Sequence, residues 1–151
     1  MLRYGQVVAN VSLIPKFIDQ YEEELIEAKK ECSVSGIIES NIKHLPGITE
    51  TRFAQLQEVE AVLNFLNIEL KRIKQIEYKK YLETYAKALT SRDAEKYAYA
   101  EDSVIDSEVL INEVALLRNK YLGIMKGLDN KQWQLGHIVR LRTAGMEDIQ
   151  I

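Results

Sequence analysis

The chain has 151 residues and a formal net charge of −3, with 46% hydrophobic residues, 28% charged residues, two prolines and one cysteine. This composition excludes a disordered chain, and a single cysteine excludes an intramolecular disulfide. We expect neither a signal peptide nor a membrane span, because the sequence shows no charged-then-apolar leader and no apolar run near 18 residues. We therefore expect one soluble, all-α domain in a reducing compartment such as the cytoplasm.

The N-terminal region, residues 1–45, is predicted to be an arm followed by short helices. Residues 1–11 form an arm or a small strand. A first helix begins near Ser12, with Pro15 in its first turn, and continues past residue 30. A second short helix over about 37–44 ends at Pro46-Gly47, the strongest breaker in the chain.

A helical core is predicted over 46–151, beginning with one long helix over about 49–89. Thr49 is expected to be its N-cap, with Glu50 in the first turn. Apolar residues recur along this helix at spacings of 3 and 4, which is typical of a coiled-coil seam: Leu56, Val59, Leu63, Leu66, Leu70 and Ile73.

The second half of the core repeats this pattern after a break at 90–93. A capping-box-like start at Ser103 predicts helices over about 103–144, the last of them a short one around Ile138 and Leu141, closed by Gly145 as a C-cap. A second seam consists of Leu110, Val114, Leu117, Tyr121, Ile124 and Leu128.

Two seamed helices joined by a short loop predict an antiparallel long-helix hairpin, a coiled-coil-like bundle. The two apolar seams can pack against each other within one monomer, which would need no oligomer. We favour a homo-oligomer, because a helix of about 40 residues spans roughly 60 Å and outruns the other helices.

Motifs for catalysis are missing from this sequence. There is no phosphate-binding glycine loop, and the two histidines and Cys32 do not have metal-ligand spacing. Gly123 and Gly127 have the small-xxx-small spacing that lets helices approach closely. The chain is therefore predicted not to be an enzyme, and to need no cofactor or metal.

Basic residues cluster in two segments despite the acidic total. Residues 69–80 hold five basic residues against two acids, and 118–142 hold six against one, whereas 93–113 hold seven acids against one lysine. Solvated helix faces would explain such runs, but cations next to aromatic rings also fit single-stranded nucleic acid. The candidate DNA-binding residues are Lys71, Arg72, Lys74, Lys79, Lys80, Tyr81, Lys87, Lys126, Lys131, Arg140 and Arg142.

Tyrosines accompany the first cluster, and Trp133 and His137 the second. Tyr78, Tyr81 and Tyr85 are also spaced as a helix stripe, which favours burial in a core over base stacking. A lone tryptophan at a helix junction is more often a packing anchor than a platform for a base.

Two segments carry a family resemblance: RNKYLGIMKGLDNKQWQLGHIVRLRTAGMED (118–148) and LNFLNIELKRIKQIEYKKYLETYAKALTSRD (63–93). Over about 46–148 the chain resembles the UvsY recombination mediators of T-even-type phages, especially the longer versions in cyanophages. The shared arrangement is a long basic helix, a Ser-Arg-Asp break, an acidic helix start and a Leu-Asp…Gly-x-Ile ending.

The resemblance implies a ring-like homo-oligomer that binds single-stranded DNA and helps a RecA-like recombinase displace a single-strand-binding protein, in the cytoplasm of an infected host. The first residue of the relatives' basic DNA-binding pair falls on Lys79. The second, an arginine in the relatives, falls on Tyr81, with Lys80 beside it. The alternative is a non-catalytic helical scaffold or virion assembly protein whose basic stripe pairs with the acidic one.

Overall fold

The computed structural model describes residues 1–85 and 89–146, and this part of the chain is confirmed to be all-helical. A 3-10 turn, Val11–Leu13, follows the first helix. The five α-helices are α1 (Tyr4–Ala9), α2 (Ile14–Glu31), α3 (Ile38–Tyr85), α4 (Ser91–Tyr99) and α5 (Asp102–Thr143).

Residues 4–9 form the helix α1, so the expectation of an arm or a strand was wrong. Val7 is fully buried and supplies the apolar contact that a six-residue helix cannot provide by itself. The preceding residues are also tied down: the Leu2 N–H donates to Gln20 Oε1 at 2.8 Å, and the Tyr21 hydroxyl donates to the Leu2 carbonyl at 3.2 Å. The predicted start at Ser12 lies in the 3-10 turn.

The helix α3 continues through Pro46, so the break predicted at Pro46-Gly47 was wrong. Ile38 and Leu45 are both buried, and with Val59 they lie on one heptad line that extends the predicted seam toward the N-terminus. Burial of this line offsets the roughly 3 kcal/mol that an interior proline costs. Thr49 is not an N-cap, since its hydroxyl donates to the Leu45 carbonyl at 2.9 Å.

The predicted break at 90–93 is confirmed as the start of α4. The Thr90 hydroxyl accepts from the Asp93 N–H at 3.2 Å, as an N-cap does. The predicted continuation of the long helix to residue 89 includes 86–88, which lie outside the described residues.

The helix α5 begins one residue before the predicted Ser103 and is continuous to Thr143, so a separate last helix was a wrong expectation. Its predicted C-cap is confirmed. Gly145 has a φ of 81°, and the Met146 N–H donates to the Leu141 carbonyl at 3.0 Å, closing a Schellman turn.

The chain forms two compact units. The first contains Met1–Val59 together with α5 from Leu117 onward, and the second contains Glu60–Leu116. Within the second unit, Lys74 pairs with Glu108 at 3.3 Å and the Ser103 hydroxyl lies 3.5 Å from Glu77, so α3 and α5 run antiparallel there, as predicted.

Both predicted seams are largely buried within the single chain. The most shielded seam residues, at most 8% exposed, are Leu56, Val59, Leu63, Leu66, Val114, Leu117, Tyr121, Ile124 and Leu128. The seams therefore serve the chain's own core, and an association of copies would use other surfaces.

Aromatic contacts organise the core of the first unit. The rings of Phe17 and Tyr21 stack with centroids 4.2 Å apart, and the Tyr121 hydroxyl of α5 donates to the Tyr21 carbonyl at 3.1 Å. Burial, with a smaller contribution from Glu58, raises the pKa of Tyr21 to about 12. Burial likewise raises the pKa of Tyr121.

A buried arginine joins α2 to α3 in the same unit. Arg52 is 5% exposed and donates twice to Glu31, from Nε at 2.7 Å and from Nη2 at 2.8 Å. Its Nη1 donates to Glu24 at 2.7 Å and to the Gln55 side-chain oxygen at 2.9 Å. This bidentate geometry compensates a charge that would be costly to bury alone.

Candidate nucleic-acid interface

Four cations predicted to contact DNA lie on the exposed side of α3 in the second unit: Arg72 and Lys79 share one helix face, and Lys71 and Lys80 lie about 100° to either side of it. Lys71 and Arg72 precede Lys79 and Lys80 by eight residues, or about 12 Å along a helix. The side chains of Arg72, Lys79 and Lys80 are 70%, 74% and 65% exposed. This face can follow a phosphate backbone without any change in the helix.

Carboxylates of the same helix partly neutralise this face. Exposed ion pairs of this kind contribute about 0–1 kcal/mol and can exchange a carboxylate for a phosphate. Lys71 has no ion pair within the described residues. The three pairs are Arg72–Glu69 at 2.8 Å, Lys80–Glu77 at 3.2 Å and Lys79–Glu83 at 3.9 Å.

Lys74 and Tyr81 point into the second unit and contribute to its packing. The ammonium of Lys74 lies 4.7 Å from the centre of the Tyr99 ring and 3.3 Å from Glu108. The Tyr81 hydroxyl donates to Glu101, and its ring stacks on Tyr97 at 6.1 Å. Both side chains are half-buried in these contacts. Lys87 lies outside the described residues.

The second predicted cluster separates into exposed and buried members. Lys126, Arg140 and Arg142 are exposed on α5. Lys131 is only 5% exposed, and its Nζ donates to the carbonyl of Glu31 at 2.8 Å. That carbonyl ends α2, where a cation suits the helix dipole, so Lys131 has a structural role there.

Trp133 faces solvent and is not the packing anchor that a lone tryptophan usually is. It is 69% exposed, more than any phenylalanine or tyrosine whose side chain the structure describes. It lines a depression of about 130 Å³ together with His137 and Arg140. Lys126, Trp133 and Arg140 are seven residues apart and therefore share a helix face. This spacing was the signal in the sequence that could have identified the site.

The charge on this face of α5 is predominantly positive. Asp129, one turn before Trp133, is the exposed acid beside it. Within residues 1–85 and 89–146, neither Lys126 nor Arg140 forms an ion pair. An exposed indole between two unpaired cations can stack on a base while the cations bind the flanking phosphates.

Among the described residues, no cluster of three or more His, Cys, Asp and Glu side chains could hold a metal ion. No helix in those residues has the length and apolarity needed to cross a membrane. The Cys32 thiol is half-buried, and burial raises its pKa, which disfavours the reactive thiolate.

Comparison of the chain with protein-family models, curated proteins and solved structures gives no match.

Proposed function

We propose that this protein is a non-catalytic recombination mediator that binds single-stranded DNA as a homo-oligomer. In this role it helps a RecA-like recombinase replace a single-strand-binding protein on the DNA. The observation that carries the proposal is the exposed Trp133 between Lys126 and Arg140 on one face of α5. The sequence resemblance of 63–93 and 118–148 to recombination mediators supports the same role.

The physical requirements of such a mediator are modest. It makes and breaks no covalent bonds, so it needs only cations for the phosphates, a ring for the bases and several copies along the strand. The α5 face supplies the first two. The exposed cations of α3, Lys71, Arg72, Lys79 and Lys80, supply a second phosphate-binding face.

Fluorescence anisotropy with a labelled oligonucleotide across a salt series tests DNA binding. Contacts of Lys126 and Arg140 to two phosphates give a log K that falls with log salt at a slope of about 1.4, and each contact from α3 steepens it by about 0.7. Loss of one stacked base in Trp133→Ala weakens binding by about 5- to 150-fold, since stacking contributes about 1–3 kcal/mol per base. Trp133→Phe keeps most of the affinity and is the matched control.

The two faces are distinguished by charge reversal. Lys126→Glu tests the α5 face, and the double change Lys79→Glu with Lys80→Glu tests the α3 face. Each is expected to reduce the affinity for all sequences and to lower the salt slope. Absence of binding at low salt, or binding that is insensitive to salt, would refute the proposal.

A helical scaffold or virion assembly protein is the second candidate. It is favoured by the ion pairs that Arg72, Lys79 and Lys80 form with carboxylates of their own helix. A stable oligomer in a native-mass measurement, combined with no DNA affinity at low salt, would support this function instead.

A further inference from the structure

An apolar groove lies in the first unit, between α3 and the C-terminal part of α5. Its volume is about 950 Å³. Phe53, Ile42 and Val139 line it while remaining 50%, 46% and 42% exposed, and the buried Leu45 and Leu135 also contribute to its lining. A contiguous exposed apolar surface of this kind marks an interaction site.

A matching apolar stripe occurs on α5 in the second unit. Ile105, Val109 and Leu116 are 44%, 55% and 55% exposed. With Asn112 they follow spacings of 4, 3 and 4, so all four lie on one face of the helix. A helix that inserts into an apolar groove carries its anchors at this spacing, and a single polar residue among them fixes the register.

The stripe matches the α3 wall of the groove in length. On α3 the groove lining extends from Ile42 to Phe53, and the stripe extends from Ile105 to Leu116. Each interval is eleven residues, or about 16 Å along a helix, whereas the α5 wall from Met125 to Arg140 is about 22 Å long. Three turns of helix therefore fit within the groove.

Unpaired charges of opposite sign lie beside the two surfaces. Exposed acids flank the stripe at Asp102, Asp106 and Glu113, and none of them forms an ion pair within the described residues. Among the described residues that line the groove, Arg140 is the one base and Glu50 the one acid. Arg140 forms no ion pair within residues 1–85 and 89–146. An acid beside the stripe can therefore pair with Arg140, which favours encounter in one orientation.

We propose that the α5 stripe of one copy docks into the α3–α5 groove of a second copy. This inference rests on the homo-oligomer of the proposed function and identifies its contact surfaces. Because stripe and groove are different surfaces, the contact is heterologous: a docked pair of copies retains one free groove and one free stripe. Such contacts close into a ring or continue as a filament.

Sedimentation velocity with two complementary variants tests this contact. Phe53→Glu places a charge in the groove and Val109→Glu places one on the stripe. Each variant alone is expected to sediment as a monomer of 17.4 kDa, whereas the unaltered protein forms larger species at tens of micromolar. Ile26→Glu, at another exposed apolar position on α2, should assemble like the unaltered chain and is the control.

A 1:1 mixture of the two variants gives the decisive result. The Phe53→Glu copy keeps a working stripe and the Val109→Glu copy keeps a working groove, so the mixture forms a heterodimer of twice the monomer mass and nothing larger. A mixture that stays monomeric, single variants that keep the original mass, or an unaltered protein that is monomeric would each overturn the contact.

Folding and DNA binding are measured on the same samples. Circular dichroism verifies the helical content of each variant. If either variant unfolds, Val139→Glu and Leu116→Glu replace the pair. Val109→Glu leaves the whole α5 site of Lys126, Trp133 and Arg140 unchanged and should still bind the oligonucleotide with a salt-dependent affinity, and Trp133→Ala should assemble normally. Failure of the contact is therefore distinguishable from failure of the proposed DNA binding.

Discussion

Gly127 on α5 is the point where one added methyl group tests the packing of the first unit most sharply. A Cβ built there lies 2.7 Å from the Sγ of Cys32 and 3.3 Å from its Cβ. The Cys32 thiol cannot easily move away, because it lies 3.4 Å from the Ala28 carbonyl and 3.7 Å from the Ile124 carbonyl. The close helix approach expected from the glycine spacing is therefore present at Gly127, where the neighbouring residue is Cys32 at the end of α2.

Two opposing effects decide the sign of Gly127→Ala. Alanine stabilises a helix interior relative to glycine by about 0.5–1 kcal/mol. Overpacking a close contact costs about 1–3 kcal/mol. We therefore expect Gly127→Ala to lower the free energy of unfolding by about 1 kcal/mol net. Gly123→Ala, one turn earlier with nothing within 4 Å, keeps only the gain and raises the free energy of unfolding.

Urea denaturation followed by circular dichroism measures both variants. The double change Cys32→Ala with Gly127→Ala removes the clashing sulfur and should recover most of the loss, because the two side chains are in contact and their effects do not add. If Gly127→Ala proves as stabilising as Gly123→Ala, then α2 and α5 do not approach as described and the reasoning is refuted.

Two further outcomes follow from the buried Arg52 and its carboxylate partners in the first unit. Arg52→Met should lower the free energy of unfolding, measured in urea, by about 2–4 kcal/mol, because Glu31 and Glu24 lose their partner. The control Arg72→Met, at an exposed ion pair, should lower it by about 1 kcal/mol or less. Equal losses in the two variants would contradict the ion cluster. Hydrogen bonds from Arg52, and then from Gln55, hold the pKa of Glu24 below its ordinary 4.5. Their contribution is therefore present above pH 4.5 and lost as the pH falls further, so acid titration of stability should be shallower in Arg52→Met.

The seams were predictable because burial imposes a period that the sequence must obey. Val59, Leu63 and Leu66 recur at the spacing of one helix face, and all three are buried. The same logic, carried further back, would have found Ile38 and Leu45. Pro46 hides this continuation, because proline disfavours a helix interior locally, while burial along the whole line outweighs that cost.

The charged residues were less predictable, because a lysine in the sequence carries no mark of its surroundings. Lys131 and Lys126 belong to the same basic segment. Lys131 donates to the carbonyl at the end of α2, whereas Lys126 faces solvent. Lys74 differs in the same way from Lys71. Only tertiary contacts decide which cations remain available to a phosphate, and these contacts join residues far apart in the sequence.

For Trp133, the general tendency of tryptophan to be buried was a poorer guide than the spacing of the residues around it. A single tryptophan is usually buried, but here the residues seven positions before and after it are Lys126 and Arg140, and all three are exposed. Two cations and one ring give weak binding per chain at physiological salt. Copies joined through stripe and groove would repeat the set along a strand, and linked sites of this kind gain about 10²- to 10⁴-fold in avidity. A weak site on each chain is therefore compatible with a mediator that competes for covered DNA, provided that the copies assemble.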